Sequence, residues 1–499
     1  MKQFFTLILS TCIALSASGQ FKFSGKIAGT TKADTFYVNI PYVFGYYHDN
    51  DVALPVDAKG NFNTTLNIHQ QKFGNIRFDS KAVYLLLTPG KSLVMNYNPA
   101  DSSVTFSGTA SAENRLLDQV DLNGVPFFAK GYKDNAYANL GPAALQEKVV
   151  QPWLAMRDKN IQLVNSSAIS PANKALIIQE VKANYILQLN YFARGIMDRT
   201  DGKRINDLIL QIYDHVPLAP DVLPAGPLYY SFADNYIGYL ETQIFTTLGA
   251  GKAKDPATFL PRYNMTIDSG NRVAKLKGKS FVNWILVHNT YPKNIAQDWL
   301  AQNIFAKCSS KDLAYTKPLM DEMTRLFPHS KYLPYLSARM SNLEMLLAKN
   351  LANKNIVVAD GYEKMTSIYE AISKLKGKVV YLDVWGTWCA PCKDELRYNP
   401  ALKQRFKDKD VAFVYLDMDE DIKDSQWREF VKVNGLTGLH LRKSSKDIQP
   451  FWAEILPKDK PDQYYPMYFI FDKNGKLVQP QASRPSDKDK LYKQIERYL

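Results

Sequence analysis

Two cysteines separated by two residues, Cys389 and Cys392, directly follow a stretch with the pattern of a buried strand. Residues 378–385 form a near-continuous apolar run, which is typical of a strand covered on both faces. A short turn leads from this run to Cys389. Pro391 stands where a first helical turn tolerates proline, because its missing amide hydrogen would have no partner there. The pattern predicts a strand, a tight turn and a helix that begins at the cysteines.

This placement suits thiol chemistry. A reversible dithiol needs one exposed thiol that is largely thiolate near neutral pH, and a second thiol within disulfide reach. At a helix N-terminus, unpaired amides and the helix dipole stabilise an anion and lower a thiol pKa from roughly 8.5 into the range of about 3.5–7.5. We therefore predict that Cys389 is the attacking nucleophile and Cys392 the resolving thiol. A zinc half-site and a purely structural disulfide remain as alternatives.

The 499 residues divide into four segments by pattern, and we expect a multidomain protein. Residues 1–19 have a basic start, an apolar stretch and small residues at the end, which predicts a signal peptide. Residues 20–108 alternate short strands and turns and predict an antiparallel β-sandwich. Residues 111–355 have helical periodicity and predict an all-α domain, whereas residues 356–499 predict an α/β domain.

The signal peptide predicts export to the periplasm or the envelope, with Gln20 as the first mature residue. A lipoprotein modified at Cys12 is the alternative, but Thr11 is large for the position before such a cysteine. One close cysteine pair in an exported chain of this length is not a disulfide framework. The pair is therefore available for chemistry.

The formal net charge of +13 could suit nucleic acid or an anionic membrane surface. The basic residues are, however, spread among acidic ones without a basic run, and no nucleic-acid recognition motif is present. The six histidines are scattered and show no metal-like spacing. We expect no nucleic-acid partner, no metal and no cofactor.

Two stretches resemble the thioredoxin superfamily, and most of all the TlpA/ResA-like exported disulfide reductases. The first is residues 376–392, which end in the Trp-Cys-Ala-Pro-Cys motif, and the second is residues 465–472. They stand in the order usual for the family, and the resemblance covers about 356–499. It implies a thioredoxin-like fold and thiol–disulfide exchange for this part of the chain.

The resemblance also implies roles for two acids. Asp383 corresponds to the buried acid that relays a proton to or from Cys392, and Glu395 corresponds to an acid that tunes the thiols. A structural hydrogen bond for Asp383 and a helix-surface position for Glu395 stay open as alternatives. The family usually has proline where this chain has Arg397, so we expect the active-site helix to run straight to about Tyr398.

Three further residues are implied to bind substrate. Pro466, in a cis peptide bond, would place the Tyr465 backbone beside Cys389, where it could pair with an extended substrate strand. Trp388 would shield the thiolate and contact partners.

These features predict an exported thiol–disulfide oxidoreductase, acting as a protein disulfide reductase in cell redox homeostasis. The Ala-Pro pair between the cysteines resembles reducing thioredoxins. The partners would be disulfide-containing exported proteins and an electron donor such as a membrane thiol-transfer protein. Two alternatives stay open. One is a peroxiredoxin-type thiol peroxidase, although the proline-threonine setting of such enzymes is absent. The other is an envelope binding or scaffold protein with a vestigial thioredoxin domain.

Overall fold

The computed structural model of the protein describes residues 19–78, 81–131, 134–456 and 463–499. The signal peptide predicted at residues 1–19 lies outside them apart from its last residue, and so does Cys12. Within the described residues, no helix combines the length and the apolar character that crossing a bilayer requires.

The chain folds into two compact units. The first contains the described residues up to Asp255 together with 290–302, and the second contains 256–289 and 303–499. The segment predicted as α/β, 356–499, therefore shares its unit with helices from the segment predicted as all-α.

As far as the first unit is described, eight strands form two four-stranded sheets. The strands are β1 (Gln20–Ile27), β2 (Asp34–Asn39), β3 (Asp51–Val56), β4 (Asn61–Asn67), β5 (Lys72–Arg77), β6 (Ala82–Leu87), β7 (Ser92–Asn98) and β8 (Ser103–Ser107). The sheet orders are β4-β1-β7-β8 and β3-β2-β5-β6. Side chains of both sheets, such as Phe23, Leu66 and Val83, share one hydrophobic core. The sheets therefore form a sandwich.

One pairing of this sandwich departs from the antiparallel prediction. β1 lies parallel to β7, with Phe23 beside Leu93. The other pairs of described strands in the two sheets are antiparallel. The prediction rested on short turns, which join antiparallel neighbours. β1 and β7 are far apart in the sequence, so no hairpin turn determines their direction.

Helices follow the sandwich. Those of the first unit are α1 (Ser111–Val120), α2 (Pro142–Leu145), α3 (Gln151–Ser166), α4 (Pro171–Gly195), α5 (Gly202–Ile212) and α6 (Pro227–Lys254). At the start of α4, the Ser170 side chain accepts a hydrogen bond from the Asn173 amide, which would otherwise lack a partner. The buried Glu180 of α4 accepts hydrogen bonds from the Leu228 and Tyr229 amides at 2.8 and 3.0 Å. It thereby caps α6.

The next helices are α7 (Ile267–Lys277), α8 (Lys279–Thr290), α9 (Lys293–Ser309), α10 (Leu313–Leu326) and α11 (Leu333–Asn350). Two very short strands, β9 (Phe259–Leu260) and β10 (Met265–Thr266), pair before α7. The segment predicted as all-α therefore contains a minimal antiparallel pair.

A six-stranded sheet lies in the described part of 356–499. Its strands are β11 (Ile356–Val358), β12 (Val379–Trp385), β13 (Val411–Asp417), β14 (Gly438–Arg442), β15 (Met467–Phe471) and β16 (Leu477–Gln479). In the order β11-β14-β13-β12-β15-β16, the first four strands are mutually parallel. β15 is antiparallel to β12, and β16 to β15. The sheet confirms the predicted thioredoxin-like α/β fold.

The helices around this sheet are α12 (Tyr369–Ile372), α13 (Ala390–Leu396), α14 (Asn399–Arg405), α15 (Asp424–Val433), α16 (Gln449–Ile455) and α17 (Asp489–Glu496). β12 is buried along its whole length and separates two cores. Val380 and Leu382 belong to one core with Trp427 of α15. Val379 and Tyr381 belong to the other, with residues of α14 and α17. Sites in such sheets form at the carboxyl ends of the strands, and β12 ends just before the two cysteines.

Candidate active site

The turn after β12 places the cysteines at the start of α13. β12 ends at Trp385, and the Cys389 amide donates a hydrogen bond to the Gly386 carbonyl at 3.0 Å. Cys389 is the N-cap of α13, with Pro391 in the first turn. A Cβ atom at position 386 would lie 2.7 Å from the Trp388 indole, so a larger residue there would displace this side chain.

Cys389 and Cys392 form a disulfide bond, with their Cα atoms 5.3 Å apart. The Cys392 amide donates a hydrogen bond to the Cys389 sulfur at 3.2 Å. A sulfur in this position is stabilised when it becomes a thiolate. Cys389 is 4% exposed and Cys392 is 2% exposed, so a reacting partner must approach closely over the turn.

An aromatic surface lies at this turn. Trp388 is 51% exposed, and its ring centre lies 5.3 Å from that of Tyr465 in an edge-to-face arrangement. Tyr465 also contacts Trp452 of α16, with 6.3 Å between ring centres. The Tyr465–Pro466 peptide bond is cis. The structure thus brings together Trp388 and Tyr465, with Pro466 next in the chain, and adds Trp452, which we did not predict.

Asp383, the predicted buried acid, lies within β12 and is buried. Its Oδ1 atom has no hydrogen-bond partner among the described residues. Burial raises the pKa of Asp383 well above its usual range, and the nearby Glu395 carboxylate raises it further. A carboxylate with a raised pKa is a stronger proton acceptor than an ordinary aspartate.

Glu395 is buried on α13, so the helix-surface alternative is wrong. Its carboxylate accepts hydrogen bonds from the Ser486 amide and from the Ser486 hydroxyl, both at 2.9 Å. These bonds connect α13 to the segment before α17. Ser486 was not predicted, because no local pattern signals a contact across 91 residues.

A lysine that we did not predict, Lys403 of α14, completes a group of charged side chains. Its ammonium donates hydrogen bonds to the Thr437 carbonyl and, at 3.1 Å, to the Thr437 hydroxyl. It also lies 5.0 Å from the ring centre of Tyr415. Burial lowers the pKa of Lys403 to about 7, and the Asp383 charge acts against this shift. Glu395 and Lys403 therefore both act on the protonation of Asp383, and Asp383 acts on that of Lys403.

Two buried aspartates hold the turn before the cysteines. The Thr387 hydroxyl donates a hydrogen bond to the Asp419 carboxylate. The Asp419 amide in turn donates to the Asp417 carboxylate at 2.8 Å. Burial raises the pKa of both aspartates, and the Asp419 charge raises that of Asp417 further. Arg442 donates to the Asp419 carbonyl at 3.0 Å. We did not predict this support, which lies at the end of β13, directly after β13 and at the end of β14.

The active-site helix is shorter than predicted. α13 ends at Leu396, and a new helix starts with Pro400 in its first turn. The expectation of a straight helix to Tyr398 is therefore wrong. A proline ring clashes with the carbonyl four residues before it, which here is that of Leu396, whereas proline fits the first turn of a helix. Arg397 donates a hydrogen bond to the Asp394 carboxylate at 2.8 Å.

Among the residues that the structure describes, no group of three or more His, Cys, Asp or Glu side chains could hold a metal ion. His440, the imidazole nearest to the cysteines in the sequence, is buried in β14 and stacks on Tyr415. It is a residue of the core.

A family profile described as Redoxin matches residues 349–495. Thiol-disulfide oxidoreductase ResA of Bacillus anthracis is 35% identical over 126 residues, which are 25% of this chain and 64% of that protein. Thiol-disulfide oxidoreductase ResA of Bacillus cereus (strain ATCC 10987 / NRS 248) is 32% identical over 146 residues, 29% of this chain and 73% of that protein. A thiol:disulfide interchange protein from Bacteroides sp., known from its solution structure, is 21% identical, with a TM-score of 0.21 over 25% of this chain and 76% of that chain.

The chain thus spans 64% of the length of the first of these relatives. The region that matches the Redoxin profile contains the four residues predicted to be catalytic, Cys389, Cys392, Asp383 and Glu395. The sandwich and most of the helical segment precede it.

Proposed function

This chain belongs, through its C-terminal domain, to the ResA-type thiol–disulfide oxidoreductases of the thioredoxin superfamily, and from this premise we propose that it reduces disulfide bonds in exported proteins. The observation that carries the proposal is the Cys389–Cys392 disulfide at the start of α13, where the Cys392 amide donates to the Cys389 sulfur. The same hydrogen bond would favour a Cys389 thiolate after reduction.

The proposed reaction starts from the dithiol form. The Cys389 thiolate attacks one sulfur of the substrate disulfide, forms a mixed disulfide and releases the first substrate thiolate, which takes a proton from water. Cys392 then loses its proton and attacks the Cys389 sulfur. The second substrate thiolate leaves and is protonated, and the Cys389–Cys392 disulfide forms. The substrate has gained two electrons and two protons.

The proton of Cys392 needs an acceptor inside the protein, because this residue is 2% exposed. We assign this role to Asp383, whose pKa is raised by burial and by the Glu395 charge, while the Lys403 charge lowers it. A carboxylate with a raised pKa accepts a thiol proton more readily than an ordinary surface aspartate. Glu395 and Lys403 would then set the pH range over which Asp383 works.

The aromatic surface formed by Trp388 and Tyr465 would hold the substrate beside the sulfurs, with the buried Trp452 packed against Tyr465. The exposure of Trp388 and its contact with Tyr465 support this assignment. We propose that the Tyr465 backbone, next to Pro466, pairs with an extended segment of the substrate. Such pairing would accept many sequences, as a general reductase requires.

We also propose that the protein works in the periplasm or at the envelope after loss of its signal peptide. The basic and apolar start of the sequence supports export. The resemblance of the Ala390-Pro391 pair to reducing thioredoxins supports the direction. Each turnover leaves a disulfide, so a second partner must supply two electrons. We propose a dithiol protein, such as a membrane thiol-transfer protein, for that role.

The equilibrium of the cysteine pair with glutathione and dithiothreitol tests this function. The full chain is incubated at fixed thiol-to-disulfide ratios, its free thiols are alkylated, and mass spectrometry gives the reduced fraction. A potential near that of thioredoxin, about −270 mV, would support a reductase, and one near about −120 mV would indicate an oxidant. Cys389→Ser is the control that should not exchange.

Two other results would favour the alternatives. If the wild-type pair does not exchange, the enzymatic function is rejected and a binding or scaffold role gains support. If the protein consumes hydrogen peroxide rapidly with a thiol donor, a thiol peroxidase is supported instead.

A further inference from the structure

A buried ion pair connects the active-site helix to the helices that precede it in the second unit. Lys393 directly follows Cys392, and its Nζ atom lies 3.1 Å from Oδ2 of Asp312. The two side chains are 15% and 6% exposed. Asp312 directly precedes α10 and lies outside the residues that match the Redoxin profile, 349–495.

Lys393 also follows the nucleophile closely in the chain. It stands four residues after Cys389, and its amide donates a hydrogen bond to the Cys389 carbonyl at 3.1 Å. Cys389 is the N-cap of α13, so Lys393 lies about one helical turn after the nucleophile. The ammonium lies 5.0 Å from the ring centre of Phe430 on α15. Asp312 and Phe430 together fix its position.

Further charged groups surround this pair. Burial raises the pKa of Asp419, and the Lys393 charge acts against that rise. Asp419 in turn accepts the hydrogen bond from Thr387 in the active-site turn. Burial lowers the pKa of the half-buried Lys307, with Asp312 acting against this shift and Lys393 adding to it. The ion pair is therefore electrostatically coupled to the turn that holds the cysteines.

We infer that Asp312 is a positioning residue that keeps the Cys389–Cys392 couple reducing, an inference that rests on the proposed function. A cation beside a thiolate stabilises the dithiol form and makes a couple more oxidising. Asp312 neutralises such a cation, Lys393, and holds it against Phe430. Without Asp312, the same ammonium would act on the Cys389 thiolate at full charge. Because the pair is largely out of water, salt screens this effect only weakly.

The test is the equilibrium of the full chain with glutathione. In that reaction, the Cys389–Cys392 disulfide and two glutathione thiols give the protein dithiol and one glutathione disulfide. Asp312→Asn is expected to shift the equilibrium about tenfold toward the dithiol, which is about 30 mV for a two-electron couple. Lys393→Gln is expected to shift it in the opposite direction, because it removes the cation and leaves the Asp312 charge unpaired. The double variant should return toward the wild-type value.

Asp394→Asn is the matched control. It removes a charge of the same sign from the helix that carries Lys393, but Asp394 is 72% exposed and pairs with Arg397, so water screens its charge. This variant and Asp312→Glu should both keep the wild-type equilibrium.

Opposite shifts in the two single variants cannot arise from a loosened helix, which would move both in the same direction. Shifts of the same sign, or shifts no larger than that of Asp394→Asn, would overturn the inference. If Asp312→Asn does not fold, Lys393→Gln remains as the test. A shift toward the dithiol, or no shift, would overturn the inference. If the wild type does not exchange with glutathione, the proposed function and this inference fall together, whereas wild-type exchange without opposite shifts overturns the inference alone.

Discussion

Replacing His440 with glutamine should make the second unit less sensitive to acid. The His440 ring is buried and stacks on Tyr415 with 4.8 Å between ring centres. Its Nε2 atom lies 2.6 Å from the Leu436 carbonyl oxygen, so Nε2 carries the proton, and Nδ1 has no partner among the described residues. Burial lowers the pKa of His440 to about 3. The imidazole is therefore neutral in the folded protein at pH values where it is charged in the unfolded chain.

The size of the effect follows from this difference. The unfolded chain protonates this histidine below about pH 6.5, whereas the folded protein does so only near pH 3. Between these values the free energy of unfolding falls by about 1.4 kcal/mol for each pH unit of acidification. At about pH 4.5 the loss is about 2.7 kcal/mol, and it is absent in the variant because glutamine does not titrate. Losing the stacked pair costs about 1 kcal/mol at any pH.

His440→Gln should thus be less stable than the wild type by about 1 kcal/mol at about pH 7.5, and more stable by about 1.7 kcal/mol at about pH 4.5. Urea unfolding followed by tryptophan fluorescence at both pH values measures these differences. Other groups that titrate in this range are common to both proteins and cancel. His69→Gln, at an exposed position, is the control and should unfold like the wild type. The same difference at both pH values would refute the reasoning, because the folded state would then also bind the proton.

Three other substitutions have distinct expected outcomes. Cys392→Ser should trap substrate on Cys389 as a mixed disulfide, detected as a substrate-sized increase in mass that a thiol reductant removes. Asp383→Asn should slow the release of substrate from the mixed disulfide by on the order of a hundredfold at neutral pH, because Cys392 loses its proton acceptor. Rapid-mixing kinetics measures the rate of this release. Glu180→Ala should destabilise the first unit by about 2–4 kcal/mol in denaturant unfolding, because two amides of α6 lose their acceptor and a cavity forms.

The local part of the site could be predicted from the sequence, because the apolar run, the cysteine spacing and Pro391 act over a few residues. Its charged neighbours could not. Glu395 meets Ser486 across 91 residues, and Lys393 meets Asp312 across 81 residues. Periodicity assigns a residue to a face of its own helix or strand, but the partner on another element depends on how the elements pack.

The same limit applies to the fold. Alternation predicted the strands of the sandwich, but the parallel pairing of β1 with β7 depends on a contact between distant segments. The break after α13 was, by contrast, within reach of local reasoning. Pro400 clashes with the carbonyl four residues before it. The predicted helix end considered only Arg397 and not this effect of Pro400.

The helices before residue 349 matter for the chemistry because Asp312, which directly precedes α10, pairs with Lys393 of the active-site helix. The unit that contains the cysteines also includes 256–289 and 303–348, outside the region that matches the Redoxin profile. Within this unit, α10 and α11 pack against α15. If the site were complete within the matched region, Lys393 would pair with a residue of that region or with water. It pairs instead with Asp312, so the charge on the active-site helix, and with it the proposed potential of the couple, depends on both parts of the unit.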